Sequence, residues 1–244
     1  MKKINKDKEK DKFEFIGKSL YFPNSGVLVL ADLHVGWEES LNKQGIFVPR
    51  SQFEETMKDL REIFKKINIV DKIVIVGDLK HEFGDILSQE WREIEEVLDF
   101  LKKKSEKVIL IRGNHDTILE PIARRKELDV KDFHIEDGIC FLHGDEIFSE
   151  CLDKKIEMII LGHRHPAVVL SDKYKKEKYK CFLVGKWKGK KIVILPSFFP
   201  FVEGGDVVAI EDNKLFIPES KLKDFEVFIV GDKTYKFGKV KRII

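Results

Sequence analysis

The sequence predicts an α/β fold in which two mixed β-sheets stack face to face and helices flank them, giving four layers with a β-rich C-terminal part. Short apolar runs alternate with segments of helical period through the first two thirds of the chain. Beyond Pro166 the pattern changes to short strands joined by turns, which favours antiparallel pairing. An α/β pattern that leads into a β-rich tail is typical of stacked sheets with helices outside.

Five short apolar runs are predicted to be buried strands. Each is rich in Val and Ile and is closed by glycine or polar residues, the pattern of a strand that is covered on both faces. They are residues 27–31, 73–76, 108–111, 139–142 and 158–161. The β-rich tail adds predicted strands at 167–170, 180–184, 191–195, 207–210 and 225–230.

Two helices are predicted between these strands. Pro49 and the capping-box pattern Ser51-Gln-Phe-Glu54 mark the start of the first helix, and the second opens near Ser88. Apolar residues recur at helical spacing along one face of each: Phe53, Met57, Leu60 and Phe64 in the first, and Trp91, Ile94, Leu98 and Leu101 in the second.

The domain organisation follows from length and composition. Residues 1–12 are almost entirely charged or polar and are expected to form a flexible arm. The remaining residues, 13–244, are expected to form a single domain in which 167–244 is mainly antiparallel β.

Composition narrows the possible partners and the location. The 45 Lys and Arg nearly cancel the 43 Asp and Glu, so the net charge of +2 does not predict a nucleic-acid partner. No apolar run reaches the roughly 18 residues of a membrane span, so we expect no membrane partner and a cytoplasmic location. The 3 cysteines lack CxxC spacing, which predicts no disulfide framework.

Polar side chains gather directly after the five apolar runs. The runs lead into Asp32-Leu-His34, Gly77-Asp78-Leu-Lys-His81, Gly113-Asn-His-Asp116, His143 and Gly162-His-Arg-His165, which hold 6 of the 7 histidines. Because the carboxyl ends of parallel strands share one rim of a sheet, we expect these loops to converge. Within Asp32/His34 and His163/His165 the partners are two residues apart, so an extended backbone would project each pair to one side.

The donor types in these loops are those of a transition-metal centre. Carboxylate, amide oxygen and imidazole without thiolate favour Mn, Fe, Zn, Co or Ni over an all-oxygen Mg or Ca site. Two dications about 3.5 to 4 Å apart repel each other and need a bridging anion, for which a carboxylate such as that of Asp78 is suited.

This ordered series of motifs resembles the calcineurin-like metallophosphoesterase superfamily over residues 27–165. The segment Gly77-Asp-Leu-Lys-His81 further resembles the SbcD-type repair nucleases and their small archaeal relatives. The chain is shorter than the repair nucleases and shows no clear equivalent of their DNA-capping and partner-binding extensions. The resemblance therefore does not imply duplex DNA as the substrate.

The resemblance implies two divalent ions, with Mn expected first, and a catalytic histidine. One ion would be held by Asp32, His34 and His165, the other by Asn114, His143 and His163, with Asp78 as the bridge. His115 would face the phosphate with Asp116 orienting it, and His81 would be a second phosphate-facing histidine. For His81, a solvated loop residue is an equally supported alternative.

The expected activity is hydrolysis of a phosphodiester by a metal-bound hydroxide, with a nuclease as the narrower expectation. Single-stranded nucleic acid and nucleotides are the candidate substrates, and a protein partner stays open. The alternatives are a phosphomonoesterase or nucleotide hydrolase and, from another class, a non-catalytic interaction scaffold. The scaffold is disfavoured because no ligand position is missing.

Two segments outside these motifs carry weaker hypotheses. Residues 173–191 mix lysine with Tyr174, Tyr179 and Trp187, which is compatible with a nucleic-acid groove but favours a solvated hairpin turning at Lys188-Gly189. Residues 196–205, with three phenylalanines, are either a wall of the cleft or ordinary packing. Arg164 is expected to point away from the ligands into a structural salt bridge, and His134 to lie outside the site.

Overall fold

The computed structural model describes residues 12–83, 88–171, 175–207 and 216–243. Its first sheet has six strands in sequence order: β1 (Glu14–Ile16), β2 (Ser19–Phe22), β3 (Val27–Leu30), β4 (Val70–Val76), β5 (Ser105–Ile111) and β6 (Val130–Lys131). β1, β2 and β3 pair antiparallel, whereas β3 to β6 run parallel. The carboxyl ends of β3, β4 and β5 therefore lie at one rim.

Helices cover the outer face of the first sheet. They are α1 (Trp37–Lys43), α2 (Gln52–Ile67), α3 (Ser88–Lys104) and α4 (Glu120–Arg125). Alternate strand residues such as Leu28 and Ile73 pack against Leu60 of α2 and Leu98 of α3 in one buried cluster. Both helices predicted from the apolar spacing are confirmed, including the start at Ser88.

The predicted capping box at the start of α2 is wrong. Ser51 occupies the N-cap position but makes no side-chain cap bond. Instead, Oε1 of the buried Glu38 accepts hydrogen bonds from the backbone N–H groups of Ser51 and Gln52, at 2.6 and 2.8 Å. A carboxylate from a neighbouring helix satisfies the free donors and lies where the helix dipole favours negative charge.

The second sheet is built from the later strands: β7 (Phe133–Glu136), β8 (Ile139–Leu142), β9 (Met158–Leu161), β10 (Pro166–Ser171), β11 (Lys176–Trp187), β12 (Lys190–Ile194), β13 (Gly205–Asp206), β14 (Glu226–Val230) and β15 (Thr234–Lys239). β8, β9 and β12 run parallel at its centre. β11 pairs antiparallel with β10, β12 and β14. The five apolar runs predicted as strands are all strands.

The two sheets pack face to face through a second apolar cluster. Val29 and Val74 of the first sheet meet Ile160, Phe182 and Val193 of the second, and all five are buried. The central strands of both sheets are thus covered on both sides, which explains their continuous apolar runs. The predicted α/β class with two stacked mixed sheets is confirmed.

The outer face of the second sheet differs from the expected layer of helices. In the described ranges it is covered by α5 (Glu219–Leu222), by the 3₁₀ turns Ser149–Leu152 and Val240–Arg242, and by loop residues such as Phe216 and Ile217. The sequence between these strands lacks long segments of helical period, so aromatic and aliphatic loop residues bury that face instead.

Two of the three cysteines form a disulfide, which the sequence did not predict. Cys140 in β8 pairs with Cys151 in the 3₁₀ turn, across a Cα–Cα distance of 5.6 Å, while Cys181 is free and buried. The disulfide could not be predicted because neither the number nor the spacing of the cysteines indicates that this short turn folds back over β8.

Other predictions concern the ends and turns. Lys188 and Gly189 have positive φ and link β11 to β12 in a two-residue hairpin loop, as predicted. The expected arm at 1–12 and the predicted strand at 207–210 lie almost wholly outside the described residues, and Tyr174 lies outside them as well. No helix in the described ranges combines the length and hydropathy needed to cross a bilayer.

Candidate metal centre

The loops that follow β3, β4, β5, β8 and β9 meet at one rim, where the two sheets adjoin. Two groups of ligand atoms there share Asp78, and the atoms of each lie within 4.8 Å of one another: Asp32, His34, Asp78 and His165, and Asp78, His143 and His163. His34, His81 and His115 form a third group with the same spacing. Asn114 joins the second group through its Oδ1 atom, 3.1 Å from Nε2 of His143. All seven residues singled out from the sequence are therefore brought together.

The backbone of these loops is left-handed at the ligands, so the predicted extended conformation is wrong. Asp32, His34, Asp78, His163 and His165 all have φ between 44° and 64°. Such conformations cost non-glycine residues roughly 1 to 3 kcal/mol and cluster at functional sites. The partners still share one side, because Leu33 is buried in the helix-facing core and Arg164 turns away to donate to the carbonyl of Ile217.

Two glycines make room for the donors. A Cβ atom on Gly77 would lie 2.2 Å from Nδ1 of His143, and one on Gly113 would lie 2.2 Å from Oδ1 of Asp78. Both neighbours are buried side chains of the site, so neither can move aside without losing its place. Gly77 thus allows the close approach of the two sheets, and Gly113 allows the close approach of the loops after β4 and β5 within the first sheet.

In the first group, the candidate ligand atoms point towards one another, with no other protein atoms between them. Nε2 of His165 lies 3.3 Å from Nε2 of His34 and 3.3 Å from Oδ1 of Asp32. Oδ2 of Asp78 lies 3.6 Å from Nε2 of His34. The backbone N–H of His163 donates to the Asp32 carboxylate at 3.1 Å, which fixes its orientation.

The second group repeats this arrangement around His143. Its Nε2 atom lies 3.0 Å from Nδ1 of His163 and 3.4 Å from Oδ2 of Asp78. Its Nδ1–H group donates a hydrogen bond to the carbonyl of Val76 at 3.0 Å. The Nε2 atom is therefore the ring nitrogen that is free to bind a metal ion. The same oxygen of Asp78 therefore faces both groups.

These separations fit metal ions. When metal–ligand bonds are about 2.1 Å, adjacent ligand atoms in tetrahedral or octahedral geometry lie about 3.0 to 3.4 Å apart. Pairs of imidazole nitrogens at such distances repel each other unless a proton or a cation lies between them. The donor set and its spacing thus suit divalent cations, and the site can hold a metal ion.

The electrostatics of the centre favour positive charge. Burial lowers the pKa of His143, but the carboxylates of Asp78 and Asp32 outweigh this and raise it to about 10. Burial depresses the pKa of His34 well below its usual range, although Asp78 opposes this effect. Two buried carboxylates thus create a potential that a cation relieves.

The predicted catalytic residues lie beside the first group. The His115 and His34 ring centroids are 4.7 Å apart, and Nδ1 of His115 donates to the carbonyl of His81 at 2.5 Å. The His81 ring is half-buried, 5.4 Å from both the His34 and His115 rings, so His81 is part of the cluster and not a solvated loop residue. Phe83 stacks on His115 with a centroid distance of 3.8 Å.

The predicted orientation of His115 by Asp116 is wrong. The buried Asp116 carboxylate accepts hydrogen bonds from the backbone N–H groups of Gly113 and Lys80, at 2.9 and 3.2 Å. Burial and the neighbouring Asp78 raise the pKa of Asp116 to about 7. Asp116 ties the β4 loop to the β5 loop, and the His81 carbonyl orients the His115 ring.

Sequence reasoning missed the residues that hold these loops from behind. The Gln52 side chain donates to the carbonyl of His34 at 2.6 Å. Oε1 of the buried Glu90 accepts from the N–H groups of His81 and Glu82, at 2.9 and 3.1 Å. Ser197 donates to the carbonyl of Asp32 at 3.0 Å. Each lies at a helix start or in a loop distant in sequence, where a lone polar residue has no distinguishing pattern.

The segment 196–205 forms a wall of the site. Phe199 donates its backbone N–H to the carbonyl of Asp32, and its ring centroid lies 6.0 Å from that of His34. The Phe199 ring also contacts Trp37, at 5.3 Å, and Phe201 extends outward from this pair. Phe198 and Phe199 are buried, so the segment both packs into the core and forms a wall of the site.

Fold and site together define a metal-dependent phosphoesterase. The sequence profile of the calcineurin-like phosphoesterase family matches residues 26–183, and the chain belongs to that family. No curated protein matches it. The loops on which the expected function rested all lie within the matched range.

Solved structures of other proteins are similar to this chain to different degrees. Nuclease MPE from Pseudomonas putida is similar with a TM-score of 0.64 and 19% identity, covering 90% of this chain and 92% of that chain. Yfce, a phosphoesterase from E. coli, gives 0.37 and 15%, with 84% and 88% covered. Vps29 from Entamoeba histolytica, complexed with Zn²⁺, gives 0.37 and 14%, with 87% and 98% covered.

Proposed function

We propose that this chain hydrolyses phosphodiesters with two divalent transition-metal ions, Mn first among them, and that its substrates include nucleic acid. The observation that carries the proposal is the position of Asp78. Its Oδ2 atom lies 3.6 Å from Nε2 of His34 and 3.4 Å from Nε2 of His143, so one carboxylate serves both donor groups. A bridging carboxylate is what two neighbouring dications require.

The ligand roles follow the two donor groups. Asp32, His34 and His165 would hold the first ion, Asn114, His143 and His163 the second, and Asp78 both. Two dications held there would supply charge neutralisation for phosphoryl oxygens and would lower the pKa of bound water from about 15.7 to about 7.

The chain's own residues position these groups and handle a proton. The Val76 carbonyl fixes the tautomer of His143, and the His163 N–H fixes the Asp32 carboxylate. His115 donates its Nδ1–H to the His81 carbonyl, so its Nε2 atom is left for the substrate. Protonated at Nε2, His115 can donate to the leaving oxygen or stabilise developing charge, a role worth about 10² to 10⁴ in rate.

The proposal is tested with small esters that differ only in the number of aryl groups. Metal-depleted protein reconstituted with Mn²⁺ should hydrolyse bis(para-nitrophenyl) phosphate, and the metal-depleted protein should not. If the protein hydrolysed para-nitrophenyl phosphate but not the diester, the proposed activity would be wrong and the protein would be a phosphomonoesterase. Inactivity towards both esters after loading with Mn²⁺, Fe²⁺, Zn²⁺, Co²⁺ or Ni²⁺ would leave the scaffold as the better account.

A further inference from the structure

Two exposed phenyl rings lie on different sides of the histidine cluster. Phe83 is 54% exposed although it stacks on His115, and Phe201 is 40% exposed at the outer end of the Phe199 wall. The histidine rings separate them, since His115 contacts His34 and His34 contacts Phe199. A flat group could stack on either ring while a phosphate lies over the cluster between them.

Beyond Phe201, a row of lysines leads away from the site. Lys180 of β11 donates its ammonium group to the carbonyl of Val202, next to Phe201, at 2.5 Å. Lys178 and Lys176 follow on the same face of β11, about 6.6 Å apart at each step, because side chains two residues apart in a strand share a face. Both are exposed, and neither has an ion-pair partner among the described residues.

The direction of this row is set by the sheet. β10 begins at Pro166, directly after His165, and pairs antiparallel with β11 so that Ala167 faces Lys180 and Ser171 faces Lys176. Lys176 is therefore farther from the metal centre than Lys180. The lysine repeat along β11 is comparable with the repeat of phosphates along an extended polynucleotide.

We infer that the centre takes single-stranded nucleic acid, with one nucleobase stacked on Phe83 and another on Phe201, on either side of the scissile phosphate. This inference rests on the proposed diesterase function and specifies its substrate class. Lys178 and Lys176 contact the phosphates beyond Phe201. Stacking on aromatic side chains beside a basic track is the general mode of single-strand binding, and it needs no base-specific hydrogen bonds.

The inference is tested by removing each ring and, separately, each base. Phe83→Ala and Phe201→Ala should each lower kcat/KM for an oligothymidylate about ten-fold, the range expected when one base is no longer stacked. On an oligomer of the same length with abasic sites, the same two substitutions should lower kcat/KM by a clearly smaller factor, because no base is present to lose its stack. Phe237→Ala removes a ring of similar exposure, 46%, on β15 and should change neither rate.

Salt dependence tests the lysine row. The slope of log affinity against log salt, measured with a phosphorothioate oligothymidylate, should become shallower by about 0.7 for each phosphate of a single strand that a lysine no longer neutralises. The double variant of Lys176→Ala and Lys178→Ala should therefore show a shallower slope. Lys186→Ala, at the far end of β11, serves as the matched control and should keep the wild-type slope.

Three outcomes would overturn the inference. The ring variants could slow both oligomers equally, which would make their role structural, or slow neither. Alternatively, wild-type protein could hydrolyse bis(para-nitrophenyl) phosphate but neither oligomer, which would refute the nucleic-acid substrate while the diesterase function stands. If the small diester also resisted hydrolysis, the proposed function itself would fail.

Discussion

The floor of the site, which is formed by the buried ligands, and its outer rim, which is formed by Phe83 and Phe201, are built differently. In the floor, Asp32, Asp78 and His143 are at most 2% exposed, and each is held by backbone groups of neighbouring loops. In the rim, Phe83 and Phe201 are 54% and 40% exposed and make mainly ring contacts. We infer that the floor carries the chemistry and tolerates no change, whereas the rim selects the substrate and can vary without loss of folding.

The largest expected effect is at the centre of the floor. Asp78→Ala should lower the rate of diester hydrolysis by more than about 100-fold. A loss of about 100-fold is the upper range for residues that only hydrogen-bond to a metal ligand, whereas Asp78 is proposed to bind both ions itself. The reason is that both donor groups lose the oxygen they share. Steady-state rates measure the effect, and Asp132→Ala, an exposed carboxylate outside the site, should retain wild-type turnover. Near-wild-type activity of Asp78→Ala would remove the bridge from the account.

His115, at the border of floor and rim, should separate turnover from metal binding. His115→Ala should lower kcat by about 10² to 10⁴ while the protein keeps its metal content, because His115 belongs to neither group with Asp78. Metal analysis alongside kcat checks both parts. His134→Ala is the matched control, since His134 contacts Glu136 away from the cluster. Full activity of His115→Ala would exclude it as the acid.

The stability of the molecule should depend on the packing beneath the floor. Phe182 is fully buried between the sheets, so Phe182→Ala should lower the free energy of unfolding by about 3 to 5 kcal/mol. Phe201→Ala, in the rim, should change it by no more than about 0.5 kcal/mol. Urea unfolding of both variants measures the contrast. Equal destabilisation would mean that the rim is part of the core.

The remaining expected effect is a pH dependence of stability at Lys180, which contacts the carbonyl of Val202 in the wall. Burial lowers the pKa of Lys180 to about 7 from its usual 10.5. Between these values the unfolded chain binds the additional proton, so this group makes the folded state more stable as pH rises from about 7 to 10.5, by at most about 1.4 kcal/mol per pH unit. Lys180→Met should lose that rise, as urea unfolding at several pH values would show. An unchanged profile would contradict the lowered pKa.

The sequence predicted the floor better than the rim, for a physical reason. Buried parallel strands leave continuous apolar runs, and the ligands stand directly after them, so both fold and donors could be found by pattern. Glu38 capping α2, Glu90 holding the His81 loop and the covering of the second sheet by loops depend on contacts distant in sequence. The same applies to the Cys140 disulfide and to Phe83 stacking on His115.

The central claim, one carboxylate shared by two cations, is tested most directly by metal stoichiometry. Protein saturated with Mn²⁺ and freed of excess ion should retain two ions per chain by elemental analysis, and Asp78→Ala should retain fewer than one. Retention of two ions by Asp78→Ala, or of none by the wild-type protein with any divalent transition metal, would contradict the account.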